Sequence, residues 1–318
     1  MIGKIIGTGS CVPARVIDNN EMATIVETSD EWIKERTGIR SRCISESETT
    51  TSMAVEAAKK ALEDAKINAK DIDMIIVSTL TANSAMPTTA ALVQKEIGAT
   101  KACCFDLNSA CSGFIFGYNT AIAYINAGIY NNILVVGSEC LSNIVDWTDR
   151  RSCILFGDGA GAAVVSSKYG GNNQVAGYSD GAKGSALTCA GIKDKNVDAS
   201  EHHQFIEMDG QEVFKFAVRR VPEIINEVVS KAGLELKDVA MYVLHQANYR
   251  IIESVAKRLG EDIEKFPTNM QKYGNTSSAS IPILLDELNR AGKLKCGDKI
   301  VMAGFGGGLS WGAAVLEW

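Results

Sequence analysis

A thiol at the point where a strand passes into a helix is the first chemical signal in this chain. Cys111 lies in Asn108-Ser109-Ala110-Cys111-Ser112-Gly113, after the strand-like run Ala102 to Leu107 and before an apolar stretch, Phe114 to Ile129, that reads as a helix. The positive end of a helix dipole favours thiolate, the nucleophilic form of cysteine. The small residues around Cys111 leave room for a substrate to reach the sulfur. The chain has nine cysteines, and most are expected to be buried apolar residues without chemistry. A cysteine that handles acyl groups also needs a base or donor and an oxyanion site.

Three histidines offer partners: His202, His203 and His245. His245 sits in Leu244-His245-Gln246-Ala247-Asn248, just past the strand-like run Met241 to Leu244. Strand C-terminal ends are where α/β sheets place their chemistry, although a histidine there is as readily structural. His202 and His203 fall in a polar stretch and read as solvent-exposed. Gly306-Gly307-Gly308 follows another strand-like run and lets backbone N–H groups approach a ligand unobstructed. Phe156-Gly157-Asp158-Gly159-Ala160-Gly161 lacks the helix and downstream acid of a dinucleotide site, and reads as a tight turn entering a strand.

An internal repeat must position these groups. Asp71 to Val77 matches Asp238 to Leu244, Asn108-Ser109 matches Asn275-Thr276, and Ile133 to Gly137 matches Ile300 to Gly304, all at one offset of 167 (275 − 108). Each half reads helix, strand, helix, strand, long helix, strand. That pattern is α/β alternation with mainly parallel strands buried on both faces. It divides the chain into 1–170, carrying Cys111, and 171–318, carrying His245, Asn275 and the glycine loop. The halves should be related by an approximate twofold axis, with the long helices meeting near the centre. Ser278 stands opposite Cys111, so the second half lacks the thiol, while Asn275 starts the equivalent turn and can face the first half's site.

Composition bounds the rest. With 318 residues, 46% hydrophobic and 22% charged, the chain is long enough for a substantial core. A net charge of -6 gives no global nucleic-acid footprint. An odd cysteine count without C-x-x-C argues against a zinc cluster or a secreted disulfide framework; we expect no metal and a reducing, cytoplasmic setting. The first residues lack a signal-peptide core. No charged residue occurs between Asp106 and Glu139. Asparagines interrupt this run and a second strand-like run follows, so it reads as a buried central helix and not a membrane span.

The segments Ser29-Asp30-Glu31-Trp32-Ile33-x-x-Arg36-Thr37-Gly38-Ile39, Asn108 to Gly113, Phe156 to Gly161, His245-Gln246-Ala247-Asn248, Gly274-Asn275-Thr276-Ser277 and Gly306-Gly307-Gly308 together resemble the β-ketoacyl-acyl-carrier-protein synthase III family. The motifs come in the family's order and span the chain. The resemblance implies a thiolase-like five-layer αβαβα fold made of two tandem pseudo-twofold halves, in agreement with the repeat. It implies an acyltransferase that initiates type II fatty-acid synthesis, joining a short acyl-CoA primer, expected to be acetyl-CoA, to malonyl-acyl carrier protein with loss of CO2. It further implies a Cys111, His245, Asn275 triad, an acyl-Cys111 intermediate and an oxyanion hole from the N–H groups of Cys111 and Gly307.

By the same resemblance, Trp32, Arg36, Thr37, Arg150, Gln211 and Asn248 contact coenzyme A, which is a substrate; no permanently bound cofactor is implied. Met86, Leu141, Phe156, Ile206 and Phe305 are candidates for the acyl pocket and tunnel, each equally readable as plain core. Lys215, Arg250, Lys257 and Arg258 would dock the acidic carrier protein. Partners are then acyl carrier protein, acyl-CoA and a second copy of the chain as a homodimer, with no nucleic acid and no membrane. Three positions depart from the family's pattern: Met86 stands where Phe is common, and Asp209 and Gln211 stand where Ala and Asn are common. A related thiolase-fold acyl transferase or condensing enzyme of secondary metabolism stays open as the alternative. A biosynthetic thiolase would need a second cysteine near the C-terminal glycines, and none follows Cys296. A papain-like hydrolase would not carry the tandem repeat.

Overall fold

The computed structural model describes residues 1–191 and 204–318; His202 and His203 lie outside the described residues. The first half opens with β1 (Lys4–Cys11) and a small antiparallel pair, β2 (Val16–Asp18) and β3 (Ser41–Cys43), with the helices α1 (Asn19–Ile25) and α2 (Asp30–Thr37) between its strands. It continues through α3 (Thr50–Ala65), β4 (Met74–Ser78), α4 (Thr89–Ile97), β5 (Cys103–Leu107), α5 (Gly113–Asn126), β6 (Asn132–Glu139) and β7 (Gly159–Ser166). The second half contains β8 (Gln174–Ser179), β9 (Leu187–Thr188), β10 (Glu207–Met208), α6 (Gly210–Lys231), β11 (Met241–Leu244) and α7 (Tyr249–Leu259). It ends with α8 (Met270–Tyr273), α9 (Ser280–Arg290), β12 (Lys299–Gly306) and β13 (Ser310–Glu317).

The local chemistry explains where these helices start and stop. Ser29, Thr49, Asp209 and Asn248 each accept a backbone N–H of the first turn of their helix, satisfying a donor the helix itself cannot. Gly38 closes α2 in the left-handed conformation at φ 80°, which a side chain would resist.

Two sheets carry the fold, in the orders β1-β7-β6-β4-β5 and β11-β12-β13-β8. Every strand of the first lies before residue 167 and every strand of the second after residue 173. Between the sheets lie α5 and α9, which share one core with both: Phe114, Tyr118 and Ile122 of α5 and Leu284 and Leu288 of α9 pack with Ile76, Val135, Val243 and Met302. Outside the first sheet α3 packs through Met53, Ala57 and Ala61 against Val77, Val136 and Ala162. Outside the second, α6 and α7 pack through Phe216, Val221 and Val255 against Tyr242, Val301 and Ala313. The result is a thiolase-like five-layer αβαβα fold. The uncharged run ends as a helix apolar on every side because α5 lies at its centre.

Three details differ from the sequence reading. The sheets are mixed, not mainly parallel: β4 pairs with β5 and β6, and β11 with β12, in parallel, but the other ladders are antiparallel. The reason is that each half closes with a strand that returns beside its predecessor, as β13 does beside β12 after the turn at Gly307-Gly308. The strand expected in the second half opposite β5 is instead the short helix α8, followed by a lone parallel bridge between Phe156 and Asn275. The central helix also ends at Asn126, before Ile129.

Candidate active site

Cys111 occupies a single 3-10 turn, Ala110–Ser112, that leads from β5 into α5. Ala110 takes a left-handed φ of 45° to make this turn. The thiol is buried, but it lines two cavities that meet at it. One, of about 350 Å³, runs past His245, Asn275 and Phe305 to Trp32 and Arg36 at the surface. The other, of about 200 Å³, is bounded by Leu80, Leu141, Phe156, Leu187 and Ile206. A small-molecule site of this size suits an extended ligand whose reacting end lies at the sulfur.

Two influences on the thiol oppose each other. Its place before α5 favours thiolate, as the sequence suggests. Burial, with the charge of Glu139 adding to it, pushes the thiol up to about 12. The other cysteines are not uniformly hidden either: Cys103, Cys189 and Cys296 are exposed. The sequence offered no way to see this, since exposure depends on what packs against each thiol.

His245 follows β11, and its backbone N–H continues the parallel ladder to Ala303 O at 2.9 Å. The imidazole is buried and meets Phe305 edge-on, with ring centroids 5.3 Å apart. Nδ1 lies 2.7 Å from Ser280 Oγ, which also accepts the Gln246 N–H at 3.3 Å. The buried Ser280 hydroxyl has no other acceptor among the described residues, so its hydrogen is placed on Nδ1, which assigns the ring proton to Nε2. Burial lowers the imidazole to about 3, so it is neutral near pH 7. The ring is an uncharged donor at the cavity.

Asn275 is held on both sides of its backbone by the Phe156 segment, donating to Leu155 O at 2.8 Å and accepting from Gly157 N at 3.0 Å. Its Oδ1 accepts the Ser277 N–H at 2.9 Å. That leaves the amide Nδ2 as the group it offers the cavity. The glycine loop comes just as close to the nucleophile. A Cβ added to Gly306 would stand 2.7 Å from Cys111 N, so only glycine lets β12 end against that backbone, and Gly307 lines the second cavity beside Cys111.

The remaining candidates divide. Trp32, Arg36, Thr37 and Asn248 line the long cavity. Asn248 is committed at both ends of its amide, which caps α7 and donates to Arg36 O at 3.0 Å. Arg150 lies over the Trp32 ring, 5.5 Å from its centroid, with Arg36 at 5.9 Å. Arg150 and Gln211 do not border the cavity; their neighbours Arg151 and Gly210 do. Leu141, Phe156 and Ile206 bound the second cavity, whereas Phe305 lies in the first, under His245. Met86 is 85% exposed and lines neither. Arg250 stands exposed at the start of α7, over the Phe214 ring at 5.9 Å, and Lys257 and Arg258 are exposed in its last turn. Lys215 pairs with Glu212 at 3.2 Å, and no carboxylate pairs with Arg250, Lys257 or Arg258 among the described residues.

Sequence reasoning passed over Ser277 and Ser280, which orient Asn275 and His245, and Leu187, which borders both cavities. It also passed over Glu139, though a charged residue ending a long uncharged run was a visible signal. No group of His, Cys, Asp and Glu able to hold a metal occurs among the described residues. No helix there is long and apolar enough to cross a membrane.

Known proteins are similar to this chain in sequence and fold. Residues 105–184 match the family described as 3-oxoacyl-[acyl-carrier-protein] synthase III, and residues 229–318 match its C-terminal part. The beta-ketoacyl-[acyl-carrier-protein] synthase III of Clostridium botulinum (strain 657 / Type Ba4) is 50% identical over 320 residues, which cover 99% of this chain and 98% of the relative. The crystal structure of 3-oxoacyl-[acyl-carrier-protein] synthase III from Aquifex aeolicus VF5 has a TM-score of 0.94 at 44% identity, covering 99% of this chain and 100% of that one. The priming beta-ketosynthase of the R1128 polyketide biosynthetic pathway also has a TM-score of 0.94, at 38% identity, covering 99% of this chain and 96% of that one.

Proposed function

We propose a reaction from one premise: the chain belongs to the 3-oxoacyl-[acyl-carrier-protein] synthase III family. It is a condensing enzyme, an acyltransferase, that joins an acyl group from acyl-CoA to malonyl-acyl carrier protein and so initiates fatty-acid synthesis. The observation that carries the mechanism is the meeting of two cavities at Cys111, with two neutral donors, His245 and Asn275, lining the longer one.

The long cavity takes the thioester arm, and its mouth at Trp32, Arg36 and Arg150 takes the nucleotide end of coenzyme A by stacking and cation–π contact. The Cys111 thiolate attacks the acyl carbonyl, the carbon–sulfur bond to coenzyme A breaks, and the acyl group stays on Cys111 in the shorter cavity. The N–H groups of Cys111 and Gly307 stabilise the oxyanion that forms and collapses. Malonyl-carrier protein then enters by the same route. Its carboxylate leaves as CO2, and the electron pair collects on the thioester oxygen as an enolate. Nε2–H of His245 and the Asn275 amide stabilise that oxygen. Neutral donors suit this step, because a cation would hold the departing carboxylate. The enolate carbon attacks acyl-Cys111 and the thiolate is restored.

The acidic carrier protein docks on the cations Arg250, Lys257 and Arg258, which pair with no carboxylate among the described residues, and on Lys215. The chain acts as a homodimer: β5 ends its sheet with an unpaired edge, its residues Cys104 to Leu107 are only half-buried, and Ile129 beyond α5 is exposed. Met86, exposed on its own chain, then reaches the partner's shorter cavity. A cytoplasmic setting suits nine free cysteines. The polyketide priming enzyme shares the fold, but the relatives at 50% identity favour the fatty-acid role.

The test is a mass measurement after mixing with acetyl-CoA. One acetyl group should appear on the Cys111 peptide and be discharged by malonyl-carrier protein with release of CO2. Acetylation elsewhere, or discharge without CO2, would overturn the reading.

A further inference from the structure

The N–H groups of Cys111 and Gly307, proposed as the oxyanion donors, come from opposite halves of the chain. Two donors serve one oxygen only if the distance between them is held. Cys111 lies in the turn Ala110–Ser112, and Gly307 follows β12, whose last residue Gly306 faces Ser310 across the ladder to β13. The turn lies flat on β12: a Cβ on Gly306 would stand 2.7 Å from Cys111 N, and one on Gly304 3.4 Å from Ser112 Cα. Yet among the described residues no backbone hydrogen bond joins the turn to β12 or β13.

Three hydroxyls bridge this seam. Ser112 Oγ lies 2.8 Å from Ser310 Oγ, and Ser109 Oγ lies 3.0 Å from Ser112 Oγ and 3.3 Å from Ser310 Oγ. At one end Ser310 Oγ is 2.8 Å from Gly307 O. At the other, Ser112 Oγ is 2.8 Å and Ser310 Oγ 3.5 Å from Ser109 O. Three hydroxyls carry three hydrogens. Passed from Ser109 through Ser112 to Ser310, they end on Gly307 O; passed from Ser310 through Ser112, they end on Ser109 O. In either order the bond between Ser112 and Ser310 ties the Cys111 turn to the glycine loop. Both serines are buried, where such a bond is stronger than in water and favours one geometry.

The repeat shows that the turn itself does not require this brace. At the offset that relates Cys111 to Ser278, Ser112 corresponds to Ala279 (279 − 112 = 167). The thiol-free turn, Ser277–Ala279, closes with that alanine and keeps its own left-handed residue, Ser277. The hydroxyl at this position belongs to the half that carries the nucleophile.

We infer that Ser112 and Ser310 are positioning residues for the oxyanion site, their hydroxyl bond fixing the spacing of the Cys111 and Gly307 N–H groups. Neither serine lines either cavity, so neither touches the acyl group or coenzyme A. The two half-reactions should feel them differently. Acetylation of Cys111 uses the braced donors. Decarboxylation uses His245 and Asn275, which are held instead by the Ser280 hydroxyl and the Ser277 N–H.

The experiment measures two rates by rapid quench on the intact protein: acetyl transfer from saturating acetyl-CoA to Cys111, and CO2 release from malonyl-carrier protein without acyl-CoA. Ser310→Ala and Ser112→Ala should each slow acetylation roughly tenfold, the scale of one buried hydrogen bond. CO2 release and the Kd for coenzyme A should stay near their wild-type values. The double variant should lose little more than either single one, because both remove the same bond. Acetylation at the wild-type rate in Ser310→Ala, equal slowing of both rates, or losses that multiply in the double variant overturn the inference. Should Ser310→Ala not fold, the same two rates in Ser112→Ala decide. The inference rests on the Cys111 and Gly307 N–H groups being the oxyanion donors, and Gly307→Pro removes one of them. If Gly307→Pro acetylates like wild type, that reading falls; if it does not and Ser310→Ala does, only the brace falls.

Discussion

Ala110 and Ser277 share a left-handed backbone, with φ of 45° and 49°, and stand at the same place in the two halves of the repeat. For a residue with a Cβ this conformation costs about 1–2 kcal/mol. Each half therefore holds the same strained turn, directly before Cys111 in one and Ser278 in the other. The turn belongs to the scaffold, and the thiol is what makes one copy reactive. The other copy supports the first: its Ser277 lines the shorter cavity with Cys111 and its Asn275 lines the longer one.

Removing either neutral donor should act on decarboxylation. His245→Ala and Asn275→Ala should each slow CO2 release from malonyl-carrier protein by roughly 10²–10³-fold, the scale of one oxyanion-type donor. Acetylation of Cys111 should survive, since it has its own oxyanion site. Rapid-quench measurement of the two half-reactions checks this. Loss of acetylation in both variants would make His245 the base for Cys111.

Glu139→Gln should change how stability depends on pH. The folded carboxyl holds its proton to about 7, above the ordinary 4.5. A group raised in this way contributes stability that is full below pH 4.5 and lost as pH rises to 7. At pH 8 the deficit is about 3 kcal/mol. Glutamine lacks it. The variant's Tm relative to wild type should therefore rise between pH 4.5 and 8, whatever its offset. A difference that is flat with pH, seen by calorimetry, would mean that Glu139 ionises normally.

Arg250→Glu should raise the KM for malonyl-carrier protein several-fold and leave acetyl-CoA use nearly intact. The side chain is exposed and pairs with no carboxylate among the described residues, so it acts on encounter with an acidic partner. Added salt should shrink the difference. Steady-state kinetics with each substrate varied decide it, and equal losses toward both would place Arg250 in the shared route.

Primer choice should respond to Met86 through the dimer. Met is unbranched and re-packs, whereas Phe is rigid. Met86→Phe should narrow the range among acetyl-, butyryl- and isobutyryl-CoA, and Met86→Ala should widen it. Identical profiles for all three proteins, or an active species that sediments as a monomer, would return the specificity to Leu141, Phe156 and Ile206 of the same chain.

What the sequence determined by itself was local pattern and its repetition. Alternating helix and strand signals, the 167-residue offset and the uncharged run fix two similar halves with apolar helices between them, because periodicity and burial are written residue by residue. The strand-to-helix turn at Cys111 and the strand end at His245 were legible for the same reason. Tertiary structure decided what these groups are as chemistry. His245 is neutral because it is buried and bonded to Ser280, 35 residues away; Glu139 is tied to Ser278 across 139 residues; and the counterpart of β5 gave way to α8. Desolvation and the supply of hydrogen-bond partners depend on atoms that meet only when the chain has folded, and no local pattern encodes them.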